Sequence, residues 1–218
     1  YKLLAASDIR FKKNFSRKGI KYLKDYNDIF KLKDIDAVFV TLPNYLSAKV
    51  TTEALRKNIH VFCEKPPAKN YNELSKIRKF LKPNVKLKYG FNHRYHGSIK
   101  LAKSYIDKNK LGKILNIRGL YGKSKILTYT KTDWRSKKKY AGGGILTDQG
   151  IHMLDIMRLF CGNFIEIKSL VSNKFWNYDV EDDVLAIMRT KNNILASLHS
   201  TALQWEHKFR LEISLEKG

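Results

Sequence analysis

Two short stretches of this sequence carry side chains able to move a proton. Glu64-Lys65-Pro66 closes the apolar run at 59–63. A lysine at the end of a buried strand faces the crevice in which open α/β sheets bind their ligands. Pro66 biases Lys65 away from helix, so the ammonium is presented from extended backbone. There it can hydrogen-bond a ligand hydroxyl and, with a lowered pKa, help to shuttle its proton. A surface lysine is the plain alternative. The second stretch follows Gly142-Gly143-Gly144 and sets Asp148, His152 and Asp155 four and three residues apart, along one helical face. A histidine there can take up or release a proton near neutral pH. The pair could instead be a helix salt pair with a core-facing histidine, or two ligands of a metal. No third ligand is evident, and zinc catalysis normally uses three, so no metal is expected.

Strand and helix signals alternate through the first ninety residues and must position Lys65. A buried strand at 3–7 ends at Asp8, and a short apolar piece at 22–26 precedes a helix starting near Asn27. Ala37–Val40 is a continuous β-branched run, as expected of a parallel strand covered on both faces. Leu42-Pro43-Asn44 is a turn signal, followed by a helix at 47–57, a strand at 59–63, a helix at 71–81 and a strand at 86–90. This rhythm predicts a doubly wound parallel sheet with right-handed crossovers.

A sheet of that kind that binds a dinucleotide opens with a strand and a glycine-rich turn, then a helix whose N-terminus holds the pyrophosphate. An acidic residue about twenty residues later takes the ribose hydroxyls. Asp8 stands in that acid's place, yet no G-x-G-x-x-G precedes it. The expectation is a fragment without its first strand and glycine turn, binding cofactor poorly on its own. Asp8 favours NAD, whereas Arg10 and Lys12 would welcome the 2′-phosphate of NADP.

The second half reads differently. A helix at 98–108 and a strand at 114–121 are followed by a helix opened by the glycines and running through Phe160. Strand signals at 165–175, 183–189, 194–202 and 209–215 predict an open, mainly antiparallel sheet. A boundary near 92–96 divides a first domain, 1–93, from a second, 94–218.

Composition narrows the class. Apolar residues make up 43% of the 218 and charged residues 29%, as in ordinary globular proteins. No run of about eighteen apolar residues suggests a membrane span, and the opening residues are too quickly charged for a signal peptide. Cys63 and Cys161 lie in apolar runs and read as buried thiols of a cytoplasmic protein. The net charge of +23 would draw nucleic acid or acidic ligands. The lysines are spread over nearly every segment, however, and read as solvated surface. No nucleic-acid or membrane partner is expected, while a nucleotide-sugar would suit the charge.

Taken in order, Thr41-Leu42-Pro43-Asn44, Glu64-Lys65-Pro66, Gly90-Phe91-Asn92-His93-Arg94, Asp133-Trp134-Arg135 and the glycine-rich Asp/His helix resemble the Gfo/Idh/MocA oxidoreductases across practically the whole chain. The resemblance implies a Rossmann domain and then an α+β domain whose open sheet serves homo-oligomerisation. It implies NAD or NADP as cofactor and hydride transfer at a secondary alcohol carbon of a sugar, nucleotide-sugar or inositol. By position it makes Lys65 the contact to both nicotinamide ribose and substrate, His152 the acid/base, and Asp148 the carboxylate that orients substrate. Asp8, Arg10, Thr41, Leu42, Pro43, Asn44 and Glu64 would hold the cofactor. Asn92, Arg94, Trp134 and Arg135 would lie near the nicotinamide or the substrate. The chain departs from the pattern in lacking the glycine fingerprint, in Tyr45-Leu46-Ser47 where a histidine is common, and in His96 where proline is frequent. It also stops before the family's usual final strands. A non-catalytic sugar-binding or regulatory protein on the same fold is the first rival reading, against which the intact Lys65, Asp148 and His152 stand; a basic nucleic-acid-binding protein, motivated only by the charge, is the second.

Overall fold

The computed structural model describes residues 2–124 and 133–218. Near the N-terminus β1 (Ala5–Ser7) pairs in parallel with β3 (Ile20–Leu23), and β2 (Phe15–Arg17) adds antiparallel on the outer edge of β3. Phe11, Phe15 and Tyr22 pack together there, Phe15 and Tyr22 stacked at 4.6 Å. The helix expected from Asn27 is a 3-10 turn, Tyr26–Lys31, capped by the Asp25 carboxylate on the Asn27 amide.

A second sheet is parallel, in the order β4 (Ala37–Val40), β5 (His60–Cys63), β6 (Leu87–Tyr89). Between its strands run α1 (Asn44–Arg56) and α2 (Tyr71–Arg78), the latter capped by Asn70 on the Glu73 amide. Val40, Val50, Leu55, Val61, Cys63 and Ile77 form its core. The parallel pairing of β4, β5 and β6 is as the sequence predicts, but β1 and β4 belong to separate sheets. Nor is β4 covered on both faces: Phe39 is 76% exposed and leans on Phe62 at 5.4 Å. Successive crossovers of one hand moving in one direction put their helices on one side, and α1 and α2 share a single core there.

The chain passes through a 3-10 turn (Asn92–Tyr95) into α3 (Gly97–Asp107) and then β7 (Ile114–Ser124). After a 3-10 turn (Trp134–Ser136) and the short α4 (Lys138–Ala141), a π turn (Leu146–Gly150) leads into α5 (Ile151–Cys161). The last strands are β8 (Phe164–Ser172), β9 (Asp183–Thr190), β10 (Leu195–Gln204) and β11 (Lys208–Leu215). They form one sheet with β7 in the order β11-β7-β10-β9-β8, antiparallel except where β7 meets β10.

Met153 and Met157 of α5 pack on Ile117, Met188 and Leu198 of that sheet. A side chain at Gly119 would run into both methionines, so helix and strand approach closely there. The opposite face carries exposed Leu170, Leu185 and Ile187. The glycines do not open one continuous helix to Phe160, because Gly142 is left-handed at φ 87° and ends α4. Gly144 is pressed against the backbone of Glu181, where a Cβ would lie 2.0 Å from the carbonyl oxygen. Among the described residues no helix is long and apolar enough to cross a membrane.

Candidate active site

Lys65 follows directly on β5, and the Lys65–Pro66 peptide is cis. Its Nζ donates to two oxygens of Asp148, the backbone carbonyl at 2.5 Å and Oδ1 at 3.2 Å. Asp148 lies in the π turn, a local widening of the helix that recurs at functional sites. The Gln149 amide donates to Asp148 Oδ2 at 2.9 Å. Burial pushes the Asp148 carboxyl up, but the Lys65 ammonium, the Gln149 amide and Arg135 outweigh it and leave it below the usual carboxylate value.

One turn on, His152 is only 4% exposed, and its Nδ1 has no hydrogen-bond partner. Burial first, then the neighbouring His93 and the Lys65 ammonium, holds its pKa down at about 3. The His152 imidazole is therefore neutral across the physiological range. His93, from the 3-10 turn after β6, stacks on it with ring centroids 4.0 Å apart. Burial, His96 and Lys65 depress the His93 pKa as well. Tyr121 of β7 reaches His93 Nε2 at 3.4 Å, and Phe209 lies 5.3 Å from the His93 ring. Burial pushes the Tyr121 hydroxyl up, as does the nearby Asp148 carboxylate.

Lys65, Asp148 and His152 thus gather where the parallel sheet meets the helix of the second sheet. Arg135 joins them electrically through Asp148; its guanidinium lies 4.3 Å over the Trp134 ring, on a turn capped by Asp133. The Glu64 carboxylate fills the space over Gly90 and accepts from the Lys65 amide.

Other predicted residues are engaged elsewhere. Asn44 is buried, and its amide donates to the Ala141 carbonyl at 2.8 Å, tying α1 to α4. Leu42 packs on the core, the carbonyls of Leu42 and Pro43 accept from Ser47 at the start of α1, and Thr41 is exposed. Arg94 forks onto both oxygens of Asp155, at 2.6 and 2.5 Å, and so joins the 3-10 turn to α5. The exposed Asn92 accepts from His93 Nδ1. Asp8 and Arg10 face each other at the end of β1, where hydrogen bonds from Arg10 hold the Asp8 carboxyl down at about 2.

His93 and Tyr121 have no role in the sequence reading. The signal for His93 was its place in the 90–94 motif; Tyr121 gives none, since only the pairing of β7 with β11 sets it beside Phe209. Among the described residues no group of three or more His, Cys, Asp or Glu is set to hold a metal ion.

Comparison with known proteins fits this architecture. Residues 2–91 match the model of an oxidoreductase family with an NAD-binding Rossmann fold, and residues 99–218 match the GFO/IDH/MocA C-terminal domain. The chain is similar to levoglucosan dehydrogenase of Pseudarthrobacter phenanthrenivorans, at 28% identity over 204 residues, 81% of this chain and 52% of that protein. Inositol 2-dehydrogenase of Salmonella typhimurium is 31% identical over 210 residues, 91% of this chain and 57% of the relative. A solved levoglucosan dehydrogenase in complex with NADH and levoglucosan superposes with a TM-score of 0.83 at 28% identity, covering 89% of this chain and 55% of the other. The chain spans about half the length of the curated relatives it matches.

Proposed function

The chain belongs to the GFO/IDH/MocA oxidoreductase family, and on that footing we propose that the protein is a nicotinamide-dependent dehydrogenase. It moves a hydride to or from a secondary alcohol carbon of a sugar, nucleotide-sugar or inositol. The observation that carries this reading is the convergence of the Lys65 ammonium, the Asp148 carboxylate and a neutral, buried His152.

The residues present fit a nicotinamide dinucleotide at two ends. Asp8, held ionised by Arg10 at the end of β1, would accept from ribose hydroxyls in exchange for bonds it now takes from Arg10. At the other end Gly90 leaves its Cβ space to the Glu64 carboxylate, and His152 brings a buried nitrogen without a partner. Thr41, Leu42, Pro43 and Asn44 shape the strand-end turn between, and Arg10 beside Asp8 suits the 2′-phosphate of NADP as a second cofactor. A related dehydrogenase is solved with NADH, which favours NAD as the first.

When bound, the nicotinamide supplies the acceptor for the hydride that leaves the alcohol carbon. Lys65 donates a hydrogen bond to the reacting hydroxyl oxygen, and the hydroxyl proton passes to the neutral His152 imidazole. In the reverse direction His152 returns it. Asp148 holds the ammonium in place and accepts from a neighbouring hydroxyl, and Arg135 with Trp134, Asn92 and Arg94 borders the substrate side. Aligning carbon and acceptor contributes on the order of 7–11 kcal/mol, and acid–base help adds about 10²–10⁴-fold.

The domain division at 93/94 belongs to this reading, with cofactor before it and substrate after. So does self-association through the open sheet face at Leu170, Leu185 and Ile187. The two buried free thiols favour a reducing cytoplasm. The test is a screen of the full-length protein against sugars, inositols and nucleotide-sugars, following nicotinamide absorbance. Turnover lost in His152→Ala and Lys65→Ala supports the reading; a full screen without turnover, or turnover unchanged in both variants, overturns it.

A further inference from the structure

We propose that His93 is a positioning residue that fixes the plane of the His152 imidazole by stacking on it, in place of the hydrogen bond that usually orients a general base. The inference rests on the dehydrogenase reading above.

A catalytic base is normally held by a third group bonded to its far nitrogen. His152 has no such group among the described residues, since its Nδ1 is buried and without a partner. What meets the ring is His93, 4.0 Å away and 28° from parallel, with Phe91 edge-on at 6.2 Å.

His93 is itself pinned at both nitrogens. Its Nδ1 meets the Asn92 amide oxygen at 3.0 Å. An amide oxygen only accepts, so Nδ1 carries the hydrogen. Nε2 then presents a lone pair, to which the Tyr121 hydroxyl donates at 3.4 Å. In this tautomer His93 is neutral and has no in-plane nitrogen left for His152. Proton transfer needs that in-plane contact, so His93 covers and orients the base without relaying its proton.

The groups that act on His152 come from three elements. His93 lies on the 3-10 turn and His96 between it and α3, Lys65 follows β5, and Asp148 sits in the π turn. Tyr121 reaches the cluster from β7 through His93. Of these, only the Asp148 carboxylate favours the charged imidazole, while burial opposes it most and His93 next.

The test compares His93→Phe, which keeps a flat ring over His152, with His93→Ala, which removes it. Both are made in the full-length protein, and the His152 imidazole is titrated by NMR without ligand. With His93→Ala the His152 midpoint climbs toward the ordinary histidine range, and with His93→Phe it stays low. In turnover with the sugar or polyol the screen returns, His93→Ala lowers kcat about 10–100-fold at little cost in KM, and His93→Phe restores most of it. An unmoved midpoint in His93→Ala overturns the proposal, as does a rise in His93→Phe as large as in His93→Ala. His152→Ala separates the two readings: full turnover without the imidazole defeats the dehydrogenase assignment, whereas loss there beside unaffected His93 variants defeats only the positioning role.

Discussion

Lys65 and Asp148, 83 residues apart in sequence, are joined by one ammonium that donates to both the backbone carbonyl and the side-chain carboxylate of the aspartate. The bond ties the end of a parallel strand to the π turn that starts the helix of the second sheet. A hydroxyl group placed there would meet a donor already oriented and largely withdrawn from water, with a side-chain exposure of 15%.

Each half of this pair is therefore expected to matter on its own. On the dehydrogenase reading, Lys65→Met and Asp148→Asn should each lower kcat about 10²–10⁴-fold in the full-length protein. Steady-state kinetics on one substrate checks it, and two variants within twofold of the parent would remove the pair from the chemistry.

The depressed His152 pKa has a consequence for stability. The unfolded imidazole takes its proton near the ordinary value of about 6.5, while the folded one waits until about 3. Between those values the unfolded state holds more protons, so stability falls as pH drops through that window. Neutral His152 contributes fully above the unfolded value, and on the order of 5 kcal/mol is at stake across the window. Denaturant titrations at pH 7 and pH 4.5 should show a smaller loss in His152→Gln than in the parent; equal losses would contradict the buried neutral state.

Arg94 and Asp155 clamp the 3-10 turn to α5 through two parallel hydrogen bonds. Arg94→Lys keeps the charge but loses the fork, and should cost about 1–3 kcal/mol. Asp155→Asn should cost a similar amount, and the double variant little more than either one. Additive losses in chemical unfolding would show that the two do not act as a unit.

The glycine-rich segment gives a contrast between two alanine substitutions. At Gly144 a Cβ would meet the Glu181 carbonyl oxygen at 2.0 Å, backbone that cannot step aside, whereas at Gly97 nothing lies within 4 Å. Gly144→Ala is expected to destabilise by about 1–3 kcal/mol through overpacking. Gly97→Ala, in the first turn of α3, should be neutral or gain up to about 1 kcal/mol. Thermal melts of both proteins decide it, and a melt for Gly144→Ala at the parental temperature would refute the close approach.

At the end of β1, Arg10 already occupies the Asp8 oxygens that a ribose would use. Asp8→Ala should weaken NADH about tenfold and NADPH less, and Arg10→Ala should reverse that order. Fluorescence titration of the full-length protein with both cofactors measures it. Equal losses for both cofactors in both variants would mean that neither side chain reads the 2′ position.

Local pattern alone determined much of this protein. The apolar runs at Ala37–Val40 and 59–63 and the helical stretches between them showed in composition and period, because burial on one side imposes those patterns on neighbouring residues. Lys65, Asp148 and His152 stood out because strand ends and helix faces announce where a side chain points. Only the tertiary structure decided how those parts meet. It gave Arg94 to Asp155 and Asn44 to Ala141, laid His93 on His152, left Phe39 uncovered, and opened the Asp/His helix with a π turn. The physical reason is range. Propensity and periodicity act over a few residues, but a hydrogen bond or ring stack between distant segments depends on how whole sheets and helices settle together.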